Sequence, residues 1–228
     1  MKLIGAEGAR LIVSFAAEEI RPEGGLDTPK FIRLTSERYT FVTSPNVAEL
    51  KGDYNNLSFK TGTVHGDGKT TVISEFILLA GAIVVDAFSS DDAELFFKDI
   101  FAWATKEFGL RSPQNEIKKL FISNVIVEFE RPVEKMITGL ELISSMASQE
   151  LAKHSNINEP AQFFRLAFNC DPQRLPPNSI RTDFIIERRT NSPYSANRFF
   201  CSGPLRTSDL LGFLERFEKA MSGPSKTT

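Results

Sequence analysis

Two short segments alternate polar and apolar residues, which is the pattern of a β-strand with one buried face. They are residues 10–15 (RLIVSF) and residues 124–129 (NVIVEF). Leu11 and Val13 share a face in the first segment, as Val125 and Val127 do in the second. The two segments predict equivalent strands at the start of two similar halves.

The correspondence between the halves continues in the same order along the chain. Residues 57–60 correspond loosely to residues 164–168, and residues 75–78 (EFIL) correspond to residues 183–186 (DFII). These segments are rich in the apolar residues that favour strands. Each half is therefore expected to continue with further strands.

A capped helix is predicted to close each half, one beginning near Ser90 and the other near Thr207. Each start offers a hydroxyl N-cap, followed by acids that suit the helix dipole. Apolar residues then recur at the spacing of one helical face. They are Ala93, Phe96, Phe97, Ile100 and Phe101 in the first helix, and Leu210, Phe213, Leu214 and Phe217 in the second.

Four corresponding segments in one order indicate an internal duplication. We expect the first repeat at residues 1–110, the second at residues 111–221, and a polar tail at residues 222–228. The boundary follows from Gly109, which suits a helix end, and from Pro113, which prevents continuation. The two repeats are expected to join in one pseudo-twofold domain.

The two halves differ in their middle parts. In the first half, residues 21–54 contain Pro and Gly, and residues 38–42 (RYTFV) resemble a strand. In the second half, residues 133–154 carry apolar residues at helical spacing. These are Met136, Leu140, Ile143, Met146, Ala147 and Leu151.

These elements predict an α+β fold, in which an internally duplicated unit forms a mostly antiparallel sheet with helices packed on one face. The order of strand, helix, three strands and helix resembles the TATA-binding-protein-like and helix-grip architectures. The resemblance concerns architecture, and architecture alone does not identify an activity.

The alternation also places isoleucines on the sheet face that the helices would leave open. These are Ile12, Ile77, Ile126 and Ile185. They predict an apolar stripe on a face that is otherwise expected to be solvated. Three explanations stay open: cover by residues 21–54 or by the loop at 190–197, contact with another protein chain, or a small apolar-ligand cavity under the sheet.

Composition narrows the classes of function. The chain has 41% hydrophobic and 25% charged residues, as ordinary globular proteins do. A net charge of −2 and a pI near 5.8 argue against a general nucleic-acid or acidic-membrane binder. The 20 Phe, against 3 Tyr and 1 Trp, indicate dry packing between sheet and helices.

The amino-terminal residues and the cysteines predict a cytoplasmic protein. The start MKLIGAE reaches an acid before any apolar signal-peptide region. No apolar run approaches the roughly 18 residues that a membrane span needs. Cys170 and Cys201 are too few for a disulfide framework, so we expect two reduced thiols.

Residues 62–70 (GTVHGDGKT) approach the phosphate-binding P-loop motif but do not match it. Thr63 stands where the spacing requires Gly, and the residues that follow are strand-like rather than helical. A hairpin turn at Asp67 and Gly68 explains these glycines better.

The remaining polar residues predict no metal, cofactor or catalytic group. His65 and His154 are the only histidines, and neither has ligand spacing with a cysteine. A Cys–His nucleophile has no better support. Asp91 and Asp92 are explained by helix capping.

One difference between the halves is a candidate anion site. Glu187, Arg188 and Arg189 end a strand where the first half has residues 79–81 (LAG), and Arg181 and Arg198 are nearby. Guanidinium groups bind carboxylate or phosphate bidentately. The alternative explanation is a solvated, paired strand end before a polar loop.

The leading hypothesis is a non-enzymatic module for protein–protein interaction or assembly, such as a homodimer. Its predicted contact surface is the outer sheet face with Ile12, Ile77, Ile126 and Ile185. The alternative is binding or turnover of a small anionic metabolite at Arg181, Arg188, Arg189 and Arg198. Nucleic acid is disfavoured because acids accompany the basic residues on the same strands and no outward aromatic pair is expected.

Overall fold

The computed structural model describes residues 1–50, 56–66, 68–111, 113, 117–137, 139–155, 157–174 and 183–221. The chain divides into two compact units. The amino-terminal unit comprises Glu7–Ser123 and Pro204–Thr207, and the carboxy-terminal unit comprises Met1–Ala6, Asn124–Gly203 and Ser208–Thr228.

The amino-terminal unit is built from four strands and three helices within its described residues. The strands are β1 (Lys2–Ser14), whose first residues belong to the other unit, β2 (Asn56–Gly66), β3 (Lys69–Leu79) and β4 (Ala82–Ala87). The helices are α1 (Ala17–Ile20), α2 (Thr28–Tyr39) and α3 (Ser90–Phe108). The strands lie in the order β2-β3-β4-β1, and neighbours are antiparallel.

Helix α3 begins and ends where the sequence predicts. Ser89 precedes it as N-cap, and its hydroxyl accepts a hydrogen bond from the backbone N–H of Asp92 at 3.2 Å. At the other end Gly109 adopts a left-handed conformation with φ of +67°. The Gly109 N–H then donates to the Thr105 carbonyl at 3.0 Å and terminates the helix.

The core of this unit lies between one sheet face and the helices α2 and α3. Its sheet contributes the buried side chains of Leu11, Val13, Phe59, Phe76 and Val85, and its helices contribute Phe31, Phe96 and Ile100. The ring centroids of Phe76 and Phe96 are 5.3 Å apart. The alternation in β1 therefore identified the core face correctly.

The strand predicted at residues 38–42 is wrong. Arg38 and Tyr39 end helix α2, and Thr40 follows in a left-handed conformation. Asp27 caps the helix, Pro29 stands in its first turn, and Thr28, Phe31, Ile32, Thr35 and Tyr39 are buried. This helical spacing over twelve residues outweighs a local alternation of five, because one continuous face is buried.

The carboxy-terminal unit contains β5 (Lys118–Glu128), whose first residues belong to the other unit, and β6 (Arg165–Phe168), β7 (Phe184–Arg188) and β8 (Arg198–Gly203). Its helices are α4 (Val133–Met136), α5 (Leu140–Ser155) and α6 (Thr207–Met221). The strand order is β5-β8-β7-β6. Val125, Val127 and Phe129 are buried, as are Ile186, Leu210 and Leu214.

The strand orders of the two units confirm the internally duplicated α+β fold. We count the strands of each unit from its own first strand and read the second unit's order from β6 to β5. Both orders then run second, third, fourth, first. Each unit also ends its strands with a long helix, α3 in one and α6 in the other. The repeat boundaries at residues 110 and 111 stay a prediction.

The helix expected across residues 133–154 is interrupted. Helix α4 ends at Met136, Gly139 has φ of +88°, and α5 begins at Leu140. Val133 and Met136 are buried, but α5 has no buried residue. The apolar residues of α5 are therefore not part of the core.

Candidate functional site

The outer face of the amino-terminal unit carries an apolar row across three strands. The register pairs Ile77 of β3 with Val84 of β4, and Val84 with Ile12 of β1. Val84, on the central strand of the three, is 8% exposed, and the two isoleucines are half-buried. We call these three residues the outer row.

A charged row lies two residues further along the same strands. Lys60, Glu75, Asp86 and Arg10 follow one another across β2, β3, β4 and β1. Arg10 donates to both carboxylate oxygens of Asp86, at 2.7 and 2.6 Å, and these hydrogen bonds raise the pKa of Arg10. Because cations and anions are balanced here, this row does not form a basic groove.

Helix α2 lies on the core side of the sheet. The rings of Phe31 in α2 and Phe59 in β2 are 6.4 Å apart, and Phe59 is a core residue. Residues 42 and 43 instead extend the sheet at β2, where Thr43 pairs with Lys60. Residues 21–54 were one candidate for covering the outer isoleucines. Residues 21–50 of this segment are described, and their helix α2 does not cover the outer row.

The other two predicted isoleucines are also half-buried, on strands of the carboxy-terminal unit. Ile185 pairs with Ala167 of β6 and with Ser202 of β8, while its neighbour Ile186 points into the core. Ile126 alternates in β5 with the buried Val125 and Val127. Both isoleucines thus lie on the less buried face of their strands.

Arg188 is a buried structural residue and not an open anion-binding group. Its side chain is 3% exposed. Nε donates to the Phe163 carbonyl at 2.9 Å, Nη1 donates to the Tyr194 carbonyl at 2.9 Å, and Nη2 forms an ion pair with Glu134. The guanidinium also lies against the rings of Tyr194 and Phe199. Arg188 at this strand end is therefore paired within the protein, and it is buried rather than solvated.

The other predicted arginines are not gathered around a common ligand site by the described contacts. Arg198 donates to Glu128 at 3.1 Å, and its carbonyl accepts from the Arg189 N–H at 3.0 Å. Arg181 lies outside the described residues. The period of two in β7 could have revealed the burial of Arg188, because it places this residue on the same face as Ile186.

Helix α5 presents its apolar side to solvent. Leu142, Ile143 and Met146 are 66%, 61% and 58% exposed, and their spacing places them on one side of the helix. Another side carries Ser148, whose hydroxyl accepts from the Ala161 N–H at 2.8 Å. We call Leu142, Ile143 and Met146 the α5 stripe. Ile143 and Met146 belong to the helical spacing that the sequence predicted, but Leu142 does not, and the exposure of the stripe was not predicted.

The remaining candidate groups form ordinary local contacts. His65 bonds to Thr70 Oγ1 at 2.8 Å across the β2–β3 hairpin, and His154 pairs with Glu150 one turn away. Strand β3 follows Gly68 where a P-loop would require a helix; Asp67 of the predicted turn is outside the described residues. Burial raises the pKa of the Cys201 thiol, and Cys170 is an exposed free thiol.

Within the part of the chain that is described, no three His, Cys, Asp or Glu side chains are grouped as a metal ion requires. The described helices include none with the length and apolar character needed to cross a bilayer.

Comparison with known proteins identifies no family. No protein-family model matches the chain, and no curated protein matches it in sequence. Among solved structures it is similar to Methanococcus jannaschii TBP, with 8% identity and a TM-score of 0.40 over 97% of each chain. A likeness at this level supports no conclusion about function.

Proposed function

We propose that this chain is a non-enzymatic protein–protein interaction module whose partner is a second copy of itself. The observation that carries the proposal is helix α5, which has sixteen residues and no buried side chain. Such a helix in a monomer leaves apolar surface in water, and the contact of two chains would remove it.

The size of the α5 stripe suits a dimer that forms and separates with concentration. Fully burying one Leu, Ile or Met side chain contributes roughly 1.5–3 kcal/mol. Six such side chains in a twofold contact would contribute on the order of 10 kcal/mol. Association itself costs about 4–15 kcal/mol. The stripe therefore supports reversible pairing.

Charge favours a second copy over a strongly charged partner. The formal net charge is −2 over 228 residues, so two copies repel each other little. The stripe itself contains no charged side chain.

The outer sheet face remains the second proposed surface, with Ile12, Ile77, Ile126 and Ile185 as its predicted contacts. Support comes from the outer row, in which neighbouring apolar residues adjoin on three strands. These side chains are only half-buried, but they are less exposed than the α5 stripe. Arg188 does not support the anion-binding alternative, because protein groups occupy its guanidinium.

The proposal is tested by measuring molar mass with light scattering over a wide concentration series. We expect the mass to rise from monomer to dimer. Met146→Asp should raise the dissociation constant of the dimer by more than about tenfold, because it removes apolar burial and adds a charge. Ser145→Asp is the matched control on the same helix outside the stripe.

Ile12→Asp tests the outer face in the same assay, with Val42→Asp as its control at an exposed apolar position. If Ile12→Asp separates the copies and Met146→Asp does not, the outer face carries the contact and α5 does not. A mass that stays monomeric at every concentration would refute self-association.

A further inference from the structure

The amino-terminal unit contains a cavity of about 580 Å³ between its sheet and helices. Small-molecule sites in proteins are typically clefts of about 300–1,000 Å³ with mostly apolar walls. The walls here are apolar on both sides. They include Phe76, Leu78 and Ile83 from the sheet and Ile100, Phe101 and Ala104 from α3.

Residues 17–29 contribute most of the polar side chains that line the cavity. Asp27 is used within the fold, because its carboxylate accepts from the Lys30 N–H at 3.1 Å and caps α2. Thr28 Oγ1 donates to the Leu26 carbonyl at 3.4 Å. Both residues therefore have protein partners.

Arg21 differs from Asp27 and Thr28. It lines the cavity and is exposed, and in the described part of the chain its guanidinium has no ion pair or hydrogen bond. The backbone of Arg21 is held in place, since Arg111 Nε donates to the Arg21 carbonyl at 2.7 Å. Among the described residues that line the cavity, the charged side chains are those of Arg21, Glu18 and Asp27, and Arg21 is the cation among them.

We propose that this cavity binds an amphiphilic monocarboxylic acid, with its apolar body between sheet and α3 and its carboxylate at Arg21. Apolar walls select the body, and a guanidinium at the opening binds a carboxylate in a bidentate manner. At about 30 Å³ per water-sized group, the cavity accommodates fewer than about 20 heavy atoms. A medium-chain fatty acid fits this limit.

The chain carries its own reporter for this binding. Trp103 is the single tryptophan, and its ring lies 6.4 Å from that of Phe31, which lines the cavity. A ligand that displaces Phe31 changes the surroundings of Trp103. Binding is therefore read from Trp103 fluorescence and from the rise in unfolding temperature.

The test uses three probes with the same apolar body, each below its micelle-forming concentration: decanoate, decanol and decyltrimethylammonium. We expect saturable binding of decanoate, weaker binding of decanol and none of the ammonium compound. Arg21→Gln should lower the affinity for decanoate by about fivefold and leave the affinity for decanol unchanged, because an exposed charge pair contributes up to about 1 kcal/mol. Arg33→Gln, on α2 away from the cavity, is the control.

A second pair of variants locates the apolar body. Ala104→Leu adds side-chain volume inside the cavity, whereas Ala102→Leu makes the same change on an exposed position of α3. Decanoate affinity should fall at least about tenfold in the first and stay unchanged in the second. Should Ala104→Leu not fold, the Arg21→Gln comparison decides.

Three results would overturn the proposal. They are no saturable binding of decanoate, equal affinities for decanoate and decanol that Arg21→Gln does not change, or a higher affinity for the ammonium compound. Binding that is unaffected by a folded Ala104→Leu protein would place the ligand elsewhere. None of these results depends on whether the chain dimerises.

Discussion

Ser90 and Thr207 cap each other. The Ser90 N–H donates to Thr207 Oγ1 at 3.1 Å, and the Thr207 N–H donates to Ser90 Oγ at 2.9 Å. They are the first residues of α3 and α6, the helices that close the two repeats. Each hydroxyl thus satisfies a helix N–H that has no acceptor in its own helix. The sequence match between these two starts has a direct physical counterpart.

Removing one hydroxyl of this pair should destabilise the protein. Thr207→Val keeps the shape of the side chain but leaves the Ser90 N–H without its acceptor, and Ser90 is fully buried. We expect a loss of about 1–3 kcal/mol in the free energy of unfolding. Urea denaturation measures it, with Ser208→Ala as an exposed neighbouring control.

Ser90→Ala should cost a similar amount, and the double variant should cost less than the two together, because the residues share their contacts. Additive losses would mean that the two caps act independently.

Glu94 should make stability depend on acid pH. Arg206 donates to its carboxylate at 2.7 Å and Lys119 at 2.7 Å, and these contacts lower its pKa to about 2. A lowered pKa stabilises the fold above the unfolded-state value near 4.5, and this stability is lost as pH falls from there toward 2. The contribution is at most about 3 kcal/mol, because solvent screens part of it.

Unfolding free energy measured by urea from neutral pH downward tests this dependence. Glu94→Gln should be less stable at neutral pH and should show a shallower decline below pH 4.5. Glu37→Gln, at an exposed helix position, is the control. A decline that is equally steep in Glu94→Gln would assign the acid sensitivity to other carboxylates.

The buried pair of Arg188 and Glu134 should be structural. Arg188→Met leaves the Glu134 carboxylate without its cation, which typically costs about 3–5 kcal/mol. Replacing both residues, as Arg188→Met with Glu134→Leu, should recover much of that loss, because no buried charge remains unpaired. Chemical denaturation of the three proteins measures both effects.

Arg198→Met is the control, since its ion pair with Glu128 is more exposed. An Arg188→Met protein of unchanged stability would contradict the structural role of this arginine.

The sequence predicted those parts of the fold that local chemistry decides. Period-two alternation identified the core faces at Leu11 and Val125, and capping chemistry identified the start of α3 and its end at Gly109. The strand predicted at residues 38–42 was wrong, because a short polar–apolar alternation also occurs at the end of a helix. The buried face of that helix has residues at helical spacing, Phe31, Thr35 and Tyr39.

The sites could be predicted less well, because burial depends on which neighbours arrive from elsewhere in the chain. The α5 stripe has the same spacing as a core helix, and only the tertiary structure shows that Ser148 faces Ala161 while Met146 faces solvent. The cavity near Arg21 likewise depends on the spacing between layers, which no periodicity encodes.

Chemical crosslinking tests the central claim, that two copies meet through α5, most directly. A cysteine is placed by Met146→Cys in a Cys170→Ser background, because Cys170 is exposed and Cys201 is buried. Val42→Cys in the same background is the control, at a position that is 79% exposed. With a short bis-maleimide, we predict a covalent dimer for Met146→Cys and none for Val42→Cys. Equal crosslinking of the two, or none for Met146→Cys in a protein that is dimeric by mass, would contradict the claim.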